Sequence, residues 1–162
     1  MRSVGLDVST YTGMAVYDPS EVEGVEKGKV IHVPDGQGFR RLQLIAQNVR
    51  ATLRIWQPAI VLIENYAIGH VSSVELVVAC GTLVRAVLFD LKYPVYQVNV
   101  KTLKLWTTGR GGADKKLMAQ AVKERWGYVS PSDDVIDAYA LARMGQLKGS
   151  ELMAIKGVTY GL

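Results

Sequence analysis

Spacing of apolar side chains divides the chain into a series of strands and helices. Val4, Leu6 and Val8 alternate with Gly5, Asp7 and Ser9, a period of two that predicts a strand over residues 2–9. Asp7 then lies on the face opposite Leu6. Residues 12–17 predict a second strand after a tight turn, and residues 28–33 a third. Between Gly38 and Gln57, Phe39, Leu42, Leu44, Ile45, Val49, Leu53 and Trp56 recur at helical spacing, and Pro58 stops the helix. The unbroken apolar run 59–63 predicts a strand covered on both faces. Residues 72–91 follow as a helix that is apolar almost all round, the pattern of burial on more than one side.

Pro94 opens a strand over 94–98, followed by a helical stretch near 100–107, a glycine-rich turn at 109–112 and a helix over 113–126. Pro131 and Ser132 supply a stop and an N-cap for a helix over 133–147, which Gly149 ends. A three-strand meander followed by alternating helices and strands makes the class α/β with a five-stranded mixed sheet. No repeat, low-complexity tract or linker interrupts the chain, so residues 1–162 read as a single domain, with 148–162 expected to form a flexible tail.

Composition narrows the chemistry. Apolar residues make up 49% and charged residues 21%, which excludes wholesale disorder. Cys80 is the single cysteine, which excludes a disulfide framework and a cysteine-rich zinc site. No apolar run reaches the length of a membrane span, and the expected setting is the cytoplasm, without a membrane partner. The net charge of +4 is small but uneven. Residues 92–126 carry eight basic and two acidic side chains, a concentration that suits phosphate contact or a solvated helix face.

Three places can carry acidic chemistry. Asp7 stands in mid-strand between small residues, where there is open space for an ion; the position equally suits an Asp capping the turn near Tyr11. Glu64 closes the run Ile60-Val61-Leu62-Ile63, at the carboxyl end of a buried strand where open α/β sheets place ligands. Asp133, Asp134 and Asp137 begin the last helix; both Asp133 and Asp134 stand on one face with Asp137, and the first two also complement the helix dipole. Two strand carboxylates and a helical pair can hold two hard divalent cations ~4 Å apart, the arrangement that activates water and stabilises the leaving oxygen of a phosphodiester. Two like charges ~5 Å apart cost ~3 kcal/mol at an effective dielectric near 20, so converging carboxylates call for a cation.

The segments GLDVSTYTG, LIENY, TGRGGADKKLMA and SDDVIDAYALA resemble, in order and spacing, the RuvC family of Holliday-junction resolvases, over about residues 2–146. The resemblance implies an RNase H-like fold, a homodimer, and cleavage of four-way DNA junctions with Mg²⁺ or Mn²⁺, two ions per site and no nucleotide cofactor. It implies Asp7, Glu64, Asp134 and Asp137 as metal-binding catalytic residues, leaving Asp133 as a neighbour, and it matches Lys104 and Lys115 to basic residues of the family. The compact length resembles phage-encoded members. Val8-Ser9 replaces the family's usual Pro-Gly pair, Tyr66 precedes Ala67 where an aromatic is expected, and residues 148–162 have no counterpart.

Beyond the matched motifs, Thr108–Gly112 suits either a backbone nest for a phosphate or a plain loop, with Arg110, Lys115 and Lys116 beside it as DNA contacts. Tyr66, Phe39 and Trp106 could stack on an unpaired base, although Phe39 and Trp106 suit helix-core positions better. His70, six residues beyond Glu64, suits an acid or base or a polar loop residue, and His32 has no supporting neighbours in the sequence. The apolar helix 72–91 suits a two-fold dimer contact or full burial within the monomer. Flap and three-way-junction nucleases share the acidic pattern, and actin-like ATPases and sugar kinases share the opening motif, although they carry two such domains.

Overall fold

In the computed structural model, which describes residues 1–20, 28–34, 38–65 and 74–162, the apolar runs assemble into one sheet. β1 (Ser3–Asp7), β2 (Tyr11–Tyr17) and β3 (Gly28–His32) form the antiparallel meander. β4 (Ile60–Glu64) and β5 (Val95–Val98) extend the sheet in parallel from the other side of β1. A further strand, β6 (Val158–Tyr160), runs antiparallel to β5, giving the order β3-β2-β1-β4-β5-β6. The described residues thus make six strands where five were expected.

Among the described residues, six helices cover the sheet: α1 (Phe39–Trp56), α2 (Val74–Leu91), α3 (Val100–Thr108), α4 (Lys115–Trp126), α5 (Asp133–Met144) and α6 (Gly149–Ala154). Strand alternation divides the core between the two faces. Val4, Leu6, Met14, Val16, Val61 and Ile63 pack with Ile45, Val49 and Leu53 of α1 and Val84 and Leu88 of α2. Ala15, Ile60, Leu62 and Val98 pack with Leu103, Met118, Val122, Ile136, Leu141 and Leu152 from the helices opposite. Asp114 and Ser132 cap α4 and α5, their side chains accepting from the N–H groups of Leu117 and Val135.

The C-terminal segment departs most from expectation. α5 ends at Met144, short of residue 147, because Gln146 turns back to β1, its amide donating to the Met1 carbonyl (2.9 Å) and the Ser3 hydroxyl (2.6 Å). Gly149 begins α6 rather than ending α5, and the Lys148 N–H donates to Glu151 at 2.7 Å. With Leu152 and Val158 buried, the supposed flexible tail is part of the core.

Three other expectations also change. Phe39 is exposed, at the open start of α1. α2 is not wholly buried: Leu76, Val78 and Phe89 reach solvent. His32 stacks on Tyr11 across β2 and β3, with ring centroids 4.2 Å apart.

Candidate metal centre

β1 and β4 are parallel neighbours in the register Val4↔Val61, Gly5↔Leu62, Leu6↔Ile63. One step further brings Asp7 and Glu64 side by side at the carboxyl ends of both strands. Alternation turns both toward the helical layer that contains α5. That helix lies against the sheet at main-chain distance. A Cβ on Gly5 would collide with the Ala138 carbonyl, and one on Gly13 with the Asp134 carbonyl. The space expected beside Asp7 at Gly5 is therefore filled by the α5 backbone. The Ser3 hydroxyl, two residues back along the same strand face, donates to the Ala142 carbonyl at 2.6 Å and fixes the far end of the contact.

This close seating delivers Asp137 to the strand carboxylates. Among the described residues, Asp7, Glu64 and Asp137 form a group in which one carboxylate oxygen from each lies within 4.8 Å of the other two. Burial raises the Asp7 carboxyl to about 7, with the charges of Asp137 and Asp134 adding to the effect. Glu64 is pushed up to about 9, first by burial and then by Asp7 and Asp137. Asp137 rises to about 6 through burial, opposed by Lys104. Three half-desolvated carboxylates at this spacing repel one another and retain protons unless a cation replaces them. Their hard oxygen donors fit a hard divalent cation.

Asp134 stands apart from the three. Half-buried in the first turn of α5, it is raised by burial and by Asp133, while Lys115 lowers it. Its charge is felt at Asp7 and Glu64, so it borders the cluster without closing into it. Asp133 takes a different partner, an ion pair with Lys115 at 3.1 Å across α4 and α5. Helical spacing leaves Asp133 and Asp134 equivalent; the fold separates them.

The basic third of the chain forms α3 and α4. Lys104 and Lys115 both lower Asp137, which places their charges beside the acidic cluster. Arg110 and Lys116 are exposed nearby in sequence, after α3 and in the first turn of α4. The glycine-rich turn is organised by Thr108, whose hydroxyl donates to the Lys104 carbonyl (2.7 Å) and accepts from the Arg110 N–H (3.1 Å). Arg125 is structural: it donates to the carbonyls of Trp106 (2.7 Å) and Thr107 (2.9 Å) at the end of α3 and lies over Trp106 and Trp126. Trp106 accordingly stacks on Trp126, at 5.6 Å, within the protein. Tyr66 and His70 lie outside the described residues. Neither apolar spacing nor any motif assigns a packing role to Gly5, Gly13 or Ser3. Their only signal was small size on the Asp7 side of β1 and in β2, which does not reveal what lies across the sheet.

A family model for the crossover junction endodeoxyribonuclease RuvC matches residues 4–144. The RuvC of Synechococcus sp. (strain CC9902) is 28% identical over 150 residues, covering 90% of this chain and 97% of its own. That of Endomicrobium trichonymphae is 25% identical over 143 residues, covering 85% and 74%. Thermus thermophilus RuvC superposes with a TM-score of 0.68 at 24% identity, over 90% of this chain and 97% of its own. The same protein in complex with a Holliday junction substrate gives 0.70 at 24% identity, over 91% and 98%. These two likenesses are of fold, the RNase H-like arrangement. With the family model spanning both strand carboxylates and the whole of α5, the chain belongs to the RuvC family of crossover junction endodeoxyribonucleases.

Proposed function

We propose that this protein cuts four-way and other branched DNA by hydrolysing phosphodiester bonds at the Asp7–Glu64–Asp137 cluster. The convergence of these carboxylate oxygens within 4.8 Å, at the carboxyl ends of two parallel strands, carries the reading. Asp7, Glu64 and Asp137 would hold a first divalent cation, Mg²⁺ or Mn²⁺. Asp134, at the border with its raised carboxyl, would contribute to a second. Bound cations of this class lower the pKa of water and neutralise charge on the phosphate and leaving oxygens.

The chain's own groups do the positioning. Lys104 and Lys115 flank the carboxylates and hold the DNA backbone against them, while Arg110 and Lys116 extend the basic surface. Tyr66, next but one to Glu64, is the aromatic proposed to meet a base at the branch point.

A homodimer completes the proposal, placing one site on each of two strands. Supporting it, α2 presents Val78, Thr82, Ala86 and Phe89 to solvent along a single face. Val78→Glu should convert a dimer to a monomer in sedimentation velocity.

The test of function is cleavage of four-way, three-way, flap and linear DNA with Mg²⁺ and with EDTA. Expected are preferential four-way cleavage that EDTA abolishes, and an Asp7→Asn variant that binds the junction without cutting it. Equal cleavage of linear DNA, or cutting by Asp7→Asn, would overturn the assignment.

A further inference from the structure

The C-terminal strand lies beyond the residues 4–144 matched by the family model, yet a continuous polar chain joins it to the acidic cluster. β6 pairs with β5 in the register Gln97↔Thr159, and the Gly161 N–H donates to the Val95 carbonyl at 2.9 Å. From β5, the Gln97 amide nitrogen donates to the Gly161 carbonyl at 2.9 Å. Its amide oxygen accepts from Arg85 of α2, from Nε at 3.4 Å and Nη2 at 3.3 Å. Arg85 Nη2 also donates to the Glu64 carbonyl at 3.2 Å, and Nη1 to the Gly81 carbonyl at 3.3 Å.

This link acts at the residue where β4 has lost its pairing with β1 and keeps only its pairing with β5, Glu64↔Val98. The β1–β4 ladder stops at the Leu6–Ile63 pair, one residue before Glu64. On the β5 side, the Asn65 N–H still donates to the Val98 carbonyl at 2.9 Å. The planar, permanently charged guanidinium can serve several acceptors at once, joining α2, β5 and the end of β4.

We propose that Arg85 is a positioning residue through which Gln97 and the C-terminal strand hold the Glu64 end of β4 in place for cation binding. The proposal rests on the reading of Asp7, Glu64 and Asp137 as a cation site. Arg85 acts through the main-chain carbonyl of a ligand-bearing residue, as outer-shell partners do at metal centres.

The test is Mn²⁺ binding to the full-length protein without DNA, followed by calorimetry and by the electron paramagnetic resonance of free Mn²⁺. Arg85→Met and Gln97→Leu should each weaken Mn²⁺ binding by about tenfold, the lower end of the range for outer-shell substitutions, with far-ultraviolet circular dichroism unchanged. Combining them should weaken it no further than Arg85→Met alone, since both cut one chain of contacts. Ile45→Val, a core change on the opposite face, should leave Mn²⁺ affinity at the wild-type value. If Arg85→Met does not fold, Gln97→Leu carries the test. Wild-type affinity in the folded variants would overturn the brace while leaving the cation site standing. Absence of Asp7-dependent Mn²⁺ binding in the wild type would overturn both.

Discussion

Against α1 and α2, the sheet presents Val4, Leu6, Val16, Val61 and Ile63, and the helices answer with Ile45, Val49, Leu53, Val84 and Leu88. Against α5, beside the aliphatic packing of Ala15 and Leu62, it presents Ser3, Gly5 and Gly13, and what meets these three is chiefly main chain. The first face is filled by interdigitating aliphatic groups, which accept small changes in shape by repacking. The second has no side chain to yield at Gly5 or Gly13. It is the second face that carries the carboxylates. Where oxygens must stay within a few ångströms of one another, this fold adds backbone contact at Gly5 and Gly13 to the aliphatic packing that both faces share.

The sharpest way to break that contrast is Gly5→Ala. The added methyl would meet the Ala138 carbonyl, and the helix would have to lift from β1. A loss of about 3 kcal/mol in urea-induced unfolding is expected, at the upper end of overpacking costs. Cleavage should fall with it, because Asp137 travels with α5. A loss below about 1 kcal/mol would mean that the contact gives way as easily as an aliphatic core.

Next in size is the response to protons. Asp7, Glu64 and Asp137 have folded-state values of about 7, 9 and 6, above the ordinary 3.8 and 4.5. Between the unfolded and folded values the native state binds more protons, so metal-free stability should fall as pH rises from 5 toward 9. Mg²⁺, competing with those protons, should restore more stability at pH 8.5 than at pH 5.5. Glu64→Gln should raise metal-free stability at pH 8.5 by about 1–3 kcal/mol, flatten the pH profile and lose most of the Mg²⁺ response. Thermal melts at several pH values decide the matter; a profile rising toward pH 9 would contradict the buried cluster.

The smallest effect belongs to the adaptable face. Ile45→Val removes one buried methylene and should cost about 1 kcal/mol with cleavage unchanged, as measured by unfolding and by junction cutting.

Legibility in the sequence follows the same divide. The alternation around Leu6 placed Asp7 on the correct side of its strand, and the 3.6-residue spacing in α1 found most of the helix face that packs on the sheet. These are local patterns imposed by one apolar environment per face. β6 escaped because Val158-Thr159-Tyr160 is too short to show alternation and sits between glycines, and its existence depends on β5, some 60 residues earlier. The choice between Asp133 and Asp134 was open to spacing alone, since offsets of three and four share a helix face. The Asp133 pairing with Lys115 is a contact between two helices that no period in either one reports. Periodicity predicts a core position for Phe39, but it stands at the first position of α1 and is left in solvent.

The glycine contact also bears on how such a protein can change. A site spaced by one backbone against another cannot be retuned by exchanging neighbouring side chains, and positions 5 and 13 admit almost no alternatives. Room for substitution lies outward instead, at exposed positions such as Arg110 and Lys116 and on the outer face of α2. Substrate preference and partner choice can drift at those surfaces over many generations while the three carboxylates keep their spacing.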